Sequence, residues 1–296
     1  MKRVGVIGLG DMGSGLAKNL MQKGFETYGL DLSEARMQAF VELGGKPTSS
    51  VAELGQNSDA VFVMVMNGKQ AKQVISGSGG LKSSLKPGAA IILTATINAY
   101  EAREIGAELA GTGVHIIDSP VSGGFPGAQG GTLTMMAAGT DEALREYEDV
   151  MKAVSRTIHR VGDEAGMGQT VKAVLQSLIG SIFSATFEAA ALAAKAGVRG
   201  QVLYDVVSTS GAGCGVANNA LAQIIDRKFV GTGSAIGTMY KDLTISLDMA
   251  RELGVPLFTA STAMQLFQAG KTKHPEGDNW IVTRVIEDII GAELSR

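Results

Sequence analysis

One lysine stands in a stretch that carries almost no other charge. Residues 162–197 read GDEAGMGQTVKAVLQSLIGSIFSATFEAAALAAKAG, and from Val171 to Ala194 nearly every residue is apolar or small apart from Lys172, Gln176 and Glu188. An ammonium buried without a use is costly, and an amine that exchanges protons works best with a pKa near the working pH. Lys172 is therefore the first candidate for general acid–base chemistry. Gln176, four residues on, shares its helix face and would orient the amine or a hydroxyl without adding charge. The glycines at 162, 166 and 168 loosen the start of this segment, and Gly197 ends it. A helix that is apolar on all sides must be buried on all sides, so it is expected to sit between two domains.

A second set of residues could hold phosphates. Residues 3–8, RVGVIG, read as a buried parallel strand. Gly8-Leu9-Gly10-Asp11-Met12-Gly13 follows at once, then a helix pattern, SGLAKNLMQKG, and a second strand, ETYGLDL, that brings Asp31 to its end. Gly8 permits the tight turn, Gly10 lets a pyrophosphate approach the backbone, and Gly13 lets the helix pack on the sheet. The helix start then offers free N–H groups and a positive dipole end. Asp31 lies 18 positions after Gly13, where a carboxylate accepts bonds from a ribose and repels a 2′-phosphate. The pattern predicts NAD, with Leu9 and Met12 in the cradle; Arg36 nearby keeps NADP open.

The strand–helix alternation continues. SDAVFVMVMN is expected to be a strand ending near Met66-Asn67, AAIILTAT one ending at Thr96 and GVHIID one ending at Asp118, with helices near 69–76 and 99–110. Such repetition implies a doubly wound parallel sheet, whose ligands bind beyond the carboxyl ends of the strands. Met66, Asn67 and Thr96 fall at such ends. Met66 serves equally well as a core residue, and Thr96 as a cap for the next helix. A third set, Ser122-Gly123-Gly124, sits in a glycine-rich loop between two strand patterns and could cradle an anion on backbone N–H groups.

From Gly166 onward the pattern is almost wholly helical, with segments near 200–210, 217–227, 234–253, 258–269 and 278–291. The expected fold is therefore α/β: a Rossmann doubly wound parallel sheet over 1–162 and an all-helical second domain over 163–296. The chain has 296 residues, enough for two domains, with 26 basic and 29 acidic side chains and no block of one sign. That balance points away from nucleic acid. Cys214 is the single cysteine and His115, His159 and His274 lack metal-ligand spacing, so neither disulfides nor a metal is expected. MKRVGVIGLG lacks a sustained apolar core and cleavage site, and Ser, Thr and Glu188 interrupt the Leu178–Ala194 stretch; a soluble cytoplasmic protein is expected. Lys241-Asp242 on a helix reads equally as a solvated turn, and Asp278, Asn279 and Trp280 either reach a site or cap the last helix.

The motifs GVIGLGDMG, DSPVSGG at 118–124 with GTLTMMAAG after it, GMGQTVK around Lys172 and YKDL at 240–243 resemble the β-hydroxyacid dehydrogenase family, in the family's order and over essentially the whole chain. The resemblance implies that Lys172 is the catalytic lysine and that Ser122, Gly123 and Gly124 hold a substrate carboxylate. It implies that Thr96 and Lys241 approach the nicotinamide end of the cofactor, with Asp242 beside Lys241. It also implies a homodimer or homotetramer built through the helical domain. The chain departs from the family's pattern in having Gln176 where Asn is common, Leu175 where a second Asn is frequent, and Met66-Asn67 where a Leu-Pro pair is usual. The stretch Val-Lys-x-x-x-Gln-x-Leu-x-Gly over 171–180 and the Asn67 substitution look more like the L-threonate dehydrogenase branch. 3-Hydroxyisobutyrate and tartronate semialdehyde or glycerate are the alternative substrates. An imine reductase and a non-catalytic nucleotide-binding scaffold are rival readings, and the presence of Lys172 argues against both.

Overall fold

A computed structural model describes residues 2–296. The chain divides into two compact units, one running to Lys172 and the other spanning Ala173–Arg296.

The first unit is built on one sheet. Its strands are β1 (Arg3–Ile7), β2 (Glu26–Leu30), β3 (Lys46–Pro47), β4 (Ala60–Val63), β5 (Ala90–Leu93), β6 (His115–Asp118), β7 (Val121–Ser122), β8 (Leu133–Ala138) and β9 (Ser155–Gly162). The order is β3-β2-β1-β4-β5-β6-β8-β7, with β9 paired to β8. From β3 to β6 every pairing is parallel, whereas β8 runs antiparallel to β6 and β7. The parallel expectation thus holds for the nucleotide-binding part, and the far edge is mixed because β6, β7 and β8 follow one another with no long crossover.

Alternation along the strands makes two cores. Val4, Val6, Phe62 and Ile92 face one side with Leu16 and Leu20, while Ile7, Val61, Val63, Ile91 and Leu93 face the other with Leu54 and Ile105. Burial on both faces explains why these strands read as unbroken apolar runs. β1 lies between β2 and β4, so the winding direction changes there and a crevice opens beyond the end of β1. β4 stops at Val63 and β5 at Leu93, about three residues before the expected ends. The main chain leaves the ladder there: Thr94 and Ala95 both donate to the Val63 carbonyl.

The second unit contains the helices Gly200–Thr209, Gly215–Ile225, Ile236–Glu252, Phe258–Lys273 and Val282–Ile290, and a 3-10 turn at Asn279–Ile281. The helix Met167–Lys195 runs through the division between the units. By length and composition this helix is apolar enough to cross a membrane, yet its Phe183, Phe187 and Ala190 belong to the buried core of the second unit. Phe183 stacks on Phe187 at 5.9 Å and meets Trp280 edge-on at 6.0 Å, and Phe187 lies 6.1 Å from Phe267. Arg227 forks onto Glu287 at 2.6 and 2.9 Å, and the same carboxylate accepts from Leu294 N–H, which ties down the chain end.

Phe187 is fully buried among these rings. Phe187→Ala should destabilise the second unit by about 3–5 kcal/mol, read as a lower urea midpoint with the first unit's transition unchanged.

Candidate active site

The turn after β1 has the geometry of a dinucleotide cradle. Gly8 adopts φ +89° and donates to the Leu30 carbonyl at 2.9 Å. A Cβ on Gly8 would collide with the Met64 carbonyl, and one on Gly13 with the Gly8 carbonyl, so both positions need glycine. Gly10 caps the helix Asp11–Gln22 without any side-chain hydrogen bond, and the atoms nearest to a Cβ built there are those of the Arg36 guanidinium at 3.8 Å. The helix start therefore carries no capping side chain of its own, and its N–H groups are left to an anion. Leu9 has its side chain in the core and Met12 packs against it, so Leu9 offers only backbone.

Asp31 builds this turn as well as serving it. Its Oδ2 accepts from Leu9 N–H at 2.7 Å and its Oδ1 from Ser33 N–H at 2.8 Å. A carboxylate has about four acceptor positions, so ribose hydroxyls can still be taken. Arg36 stands 3.6 Å from the same carboxylate, and its side chain is more than half exposed.

The other expected residues fall as follows. Met66 is exposed and its N–H donates to Gln70 Oε1 at 2.9 Å. Asn67 caps the helix Gly68–Ser76, accepting from Gln70 N–H at 2.9 Å. Thr96 is half-buried after β5; the cap of the next helix is Asn98, in a capping box with Glu101. Gly123 and Gly124, directly after β7, have φ of +129° and +58°. Such angles turn the backbone in a way that side chains rarely permit, and only Pro126 lies within 4 Å of a Cβ built on Gly124.

Lys172 is buried, 6% exposed. Its Nζ donates to the Val121 carbonyl at 2.8 Å, one residue before Ser122. The amine is thereby fixed to the strand that leads into the Ser122–Gly124 turn. The helix approaches this loop closely because Gly168 has no side chain: a Cβ there would lie 2.5 Å from the Asp118 carbonyl and 2.7 Å from that of Met136.

In the second unit, Gln176 is buried and donates to Asp242 Oδ2 at 2.5 Å. Lys241 Nζ lies 3.0 Å from Oδ1 of the same carboxylate. Asp242 is itself 3% exposed while the Lys241 side chain is about a quarter exposed, so the pair joins a buried carboxylate to a half-buried ammonium and is not a solvated turn. Asp278 accepts from Thr232 N–H, Thr232 Oγ1 and Ser234 N–H and fastens that loop, while Trp280 lies in the core. Cys214 caps the helix Gly215–Ile225. Among the described residues no cluster of His, Cys, Asp or Glu could hold a metal.

Two buried residues, Asp118 and Gln169, have a link that the sequence reading did not assign. Asp118, at the end of β6, accepts from Gly166 N–H at 2.8 Å, Gln169 N–H at 3.2 Å and Gln169 Nε2 at 2.7 Å. Both residues lie within motifs quoted above, DSPVSGG and GMGQ, but their partners are about fifty residues apart in the chain.

Comparison with known proteins agrees with this layout. Residues 3–162 match the family model of the NAD binding domain of 6-phosphogluconate dehydrogenase. Residues 166–286 match the model described as NAD-binding of NADP-dependent 3-hydroxyisobutyrate dehydrogenase. L-threonate dehydrogenase of Escherichia coli O6:H1 is 37% identical, with 97% of this chain and 95% of that one covered. The chain belongs to the β-hydroxyacid dehydrogenase family. L-threonate dehydrogenase of Cupriavidus necator is 36% identical over 99% of this chain and 98% of its own. The crystal structure of 3-hydroxyisobutyrate dehydrogenase from Salmonella typhimurium superposes with a TM-score of 0.88 at 33% identity, covering 96% and 99% of the two chains. As a member of this family the chain is an NAD-dependent oxidoreductase acting on the CH–OH group of a hydroxy acid.

Burial pushes the Asp118 carboxyl up to about 6, against the pull of the Gln169 and Gly166 donors. A carboxyl whose folded value exceeds its unfolded one binds more protons when folded, so stability falls as pH rises from about 4 to about 6. The loss from this group is at most about 3 kcal/mol. In Asp118→Asn that slope should vanish, which thermal melts at pH 4.5, 5.5 and 6.5 would show as a flatter curve than the parent's.

Proposed function

We propose that the chain oxidises a small hydroxy acid of the sugar-acid type, L-threonate or a close analogue, with Lys172 moving the hydroxyl proton. The observation that carries this reading is the buried Lys172 amine held 2.8 Å from the Val121 carbonyl, beside the Ser122–Gly124 loop. NAD, when bound, supplies the hydride acceptor at C4 of its nicotinamide ring. Gly8, Leu9, Gly10, Met12 and Gly13 would receive the pyrophosphate and Asp31 the adenosine ribose. Met66, Asn67 and Thr96 would line the path towards the nicotinamide end.

Ser122, Gly123 and Gly124 would take the substrate carboxylate on their N–H groups and the serine hydroxyl. The neutral amine of Lys172 accepts the proton as the hydroxyl becomes a carbonyl, and in reduction the ammonium returns it. Gln176 donates its amide to Asp242, so its Oε1 is the group it would offer to a hydroxyl or to the amine. A substrate with several hydroxyls suits an amide longer by one methylene than the family's usual Asn. The relatives named as L-threonate dehydrogenases support this substrate class. 3-Hydroxyisobutyrate is the second reading, supported by the Salmonella structure that bears that name.

The segment 163–296 is read as the substrate and self-association part of a cytoplasmic homodimer or homotetramer. Val174, Leu178 and Leu192 of its long helix are exposed apolar residues of the kind a second copy would cover. Light scattering on the purified chain tests that.

NADH absorbance with L-threonate, 3-hydroxyisobutyrate and glycerate, each offered with NAD and with NADP, decides the substrate. L-threonate with NAD should give the highest kcat/KM; a preference for 3-hydroxyisobutyrate would select the second reading. Lys172→Ala should lower kcat by about 10²–10⁴-fold while leaving NAD affinity, measured by titration, near the parent's. Near-parental turnover would exclude Lys172 as the proton carrier.

A further inference from the structure

The side-chain amide of Gln169 is held by groups from two other segments. Its Oε1 accepts from Ile97 N–H at 3.1 Å, and its Nε2 donates to the Ala95 carbonyl at 3.0 Å and to Asp118 Oδ1 at 2.7 Å. Ala95 and Ile97 are the two neighbours of Thr96, so one amide grips the main chain on both sides of that residue. Asp118 in turn accepts from the Gln169 and Gly166 N–H groups at the start of the helix that carries Lys172. Gln169 is 1% exposed and Asp118 is fully buried.

Only an uncharged group that donates and accepts at once can do this. A carboxylate at 169 would lack the donors for Ala95 and Asp118, and a hydrocarbon would leave several buried polar groups unpaired. Lys172 follows three residues later on the same helix, and its amine is bonded to Val121, three residues after Asp118. The loop after β5, the strand end at β6 and the first turn of the helix therefore share one fixed point.

We propose that Gln169, held by Asp118, is a positioning residue that sets Thr96 and Lys172 relative to one another. It touches no reacting atom, and it rests on the reading of Lys172 as the proton carrier. Its effect belongs on turnover more than on binding, because a displacement of about 1 Å between reacting groups costs on the order of 10²-fold in rate.

The test uses the full chain carrying Gln169→Leu or Gln169→Glu. Two readouts need neither cofactor nor hydroxy acid: hydrogen exchange at the Ile97 amide, and the rate at which acetic anhydride labels Lys172, followed by mass spectrometry. In Gln169→Leu both should change several-fold, while exchange at the β1 amides stays as in the parent. With NAD and L-threonate, kcat should fall roughly 10- to 100-fold at nearly constant KM.

Gln169→Glu sets two carboxylates against each other, so one must hold a proton. Lys172, and Arg103 beside Gly166, are the cations of this neighbourhood. The ratio of variant to parent kcat should rise as pH falls, since a protonated carboxyl can both donate and accept. That variant keeps the test open if the leucine chain does not fold. Unchanged Ile97 exchange and Lys172 labelling would overturn the proposal. So would a kcat loss in the glutamate variant that is independent of pH. If the parent oxidises no hydroxy acid at all, the functional reading fails while exchange and labelling still decide the role of Gln169.

Discussion

An ammonium group leaves water only if something polar is fixed against it, and the first unit is arranged around that demand. Lys172 meets the Val121 carbonyl, so the helix must lie close to the segment that follows β6. Gly168 permits the approach. Asp118 then receives the N–H groups that the first turn of the helix exposes, at the cost of a buried carboxylate. The same contacts place the amine next to Ser122 and its glycines, so that this placement follows from the solution to a burial problem.

The cofactor end is governed by a different constraint, the approach of backbone to backbone. Gly8 and Gly13 are glycines because a carbonyl oxygen already occupies the space of a side chain. Asp31 holds Leu9 and Ser33 while keeping acceptor capacity for a ribose. Arg36 lies against that carboxylate, and it is the side chain that would have to turn outward to meet a 2′-phosphate. The Asp31 carboxylate thus suits the hydroxyls of NAD, and the Arg36 guanidinium beside it leaves NADP chemically accessible.

Much of this was legible in the sequence, for local reasons. The glycine turn, the helix behind it and Asp31 lie within thirty residues of one another, and each has a conformational need that a residue type reveals. Lys172 was visible because its surroundings are so apolar. The bond between Gln169 and Asp118 was not, since a glutamine in the first turn of a helix signals nothing until its partners at Ala95, Ile97 and Asp118 are folded against it. The same holds for the Gln176–Asp242 bond, where the sequence left Lys241-Asp242 open between a site and a solvated turn. Strand ends were overestimated at Met66 and Thr96 because apolar runs continue after the ladder has ended. The antiparallel edge at β7 and β8 was missed because pairing direction depends on topology and leaves no periodicity to read.

The most direct measurement is a crystal structure of the chain with NAD and a hydroxy acid that it turns over. Lys172 Nζ should lie within about 3.2 Å of the hydroxyl that is oxidised, with the carboxylate on the Ser122–Gly124 loop. A bound substrate whose reacting hydroxyl faces another group, with Lys172 directed away from it, would contradict the role given to the lysine.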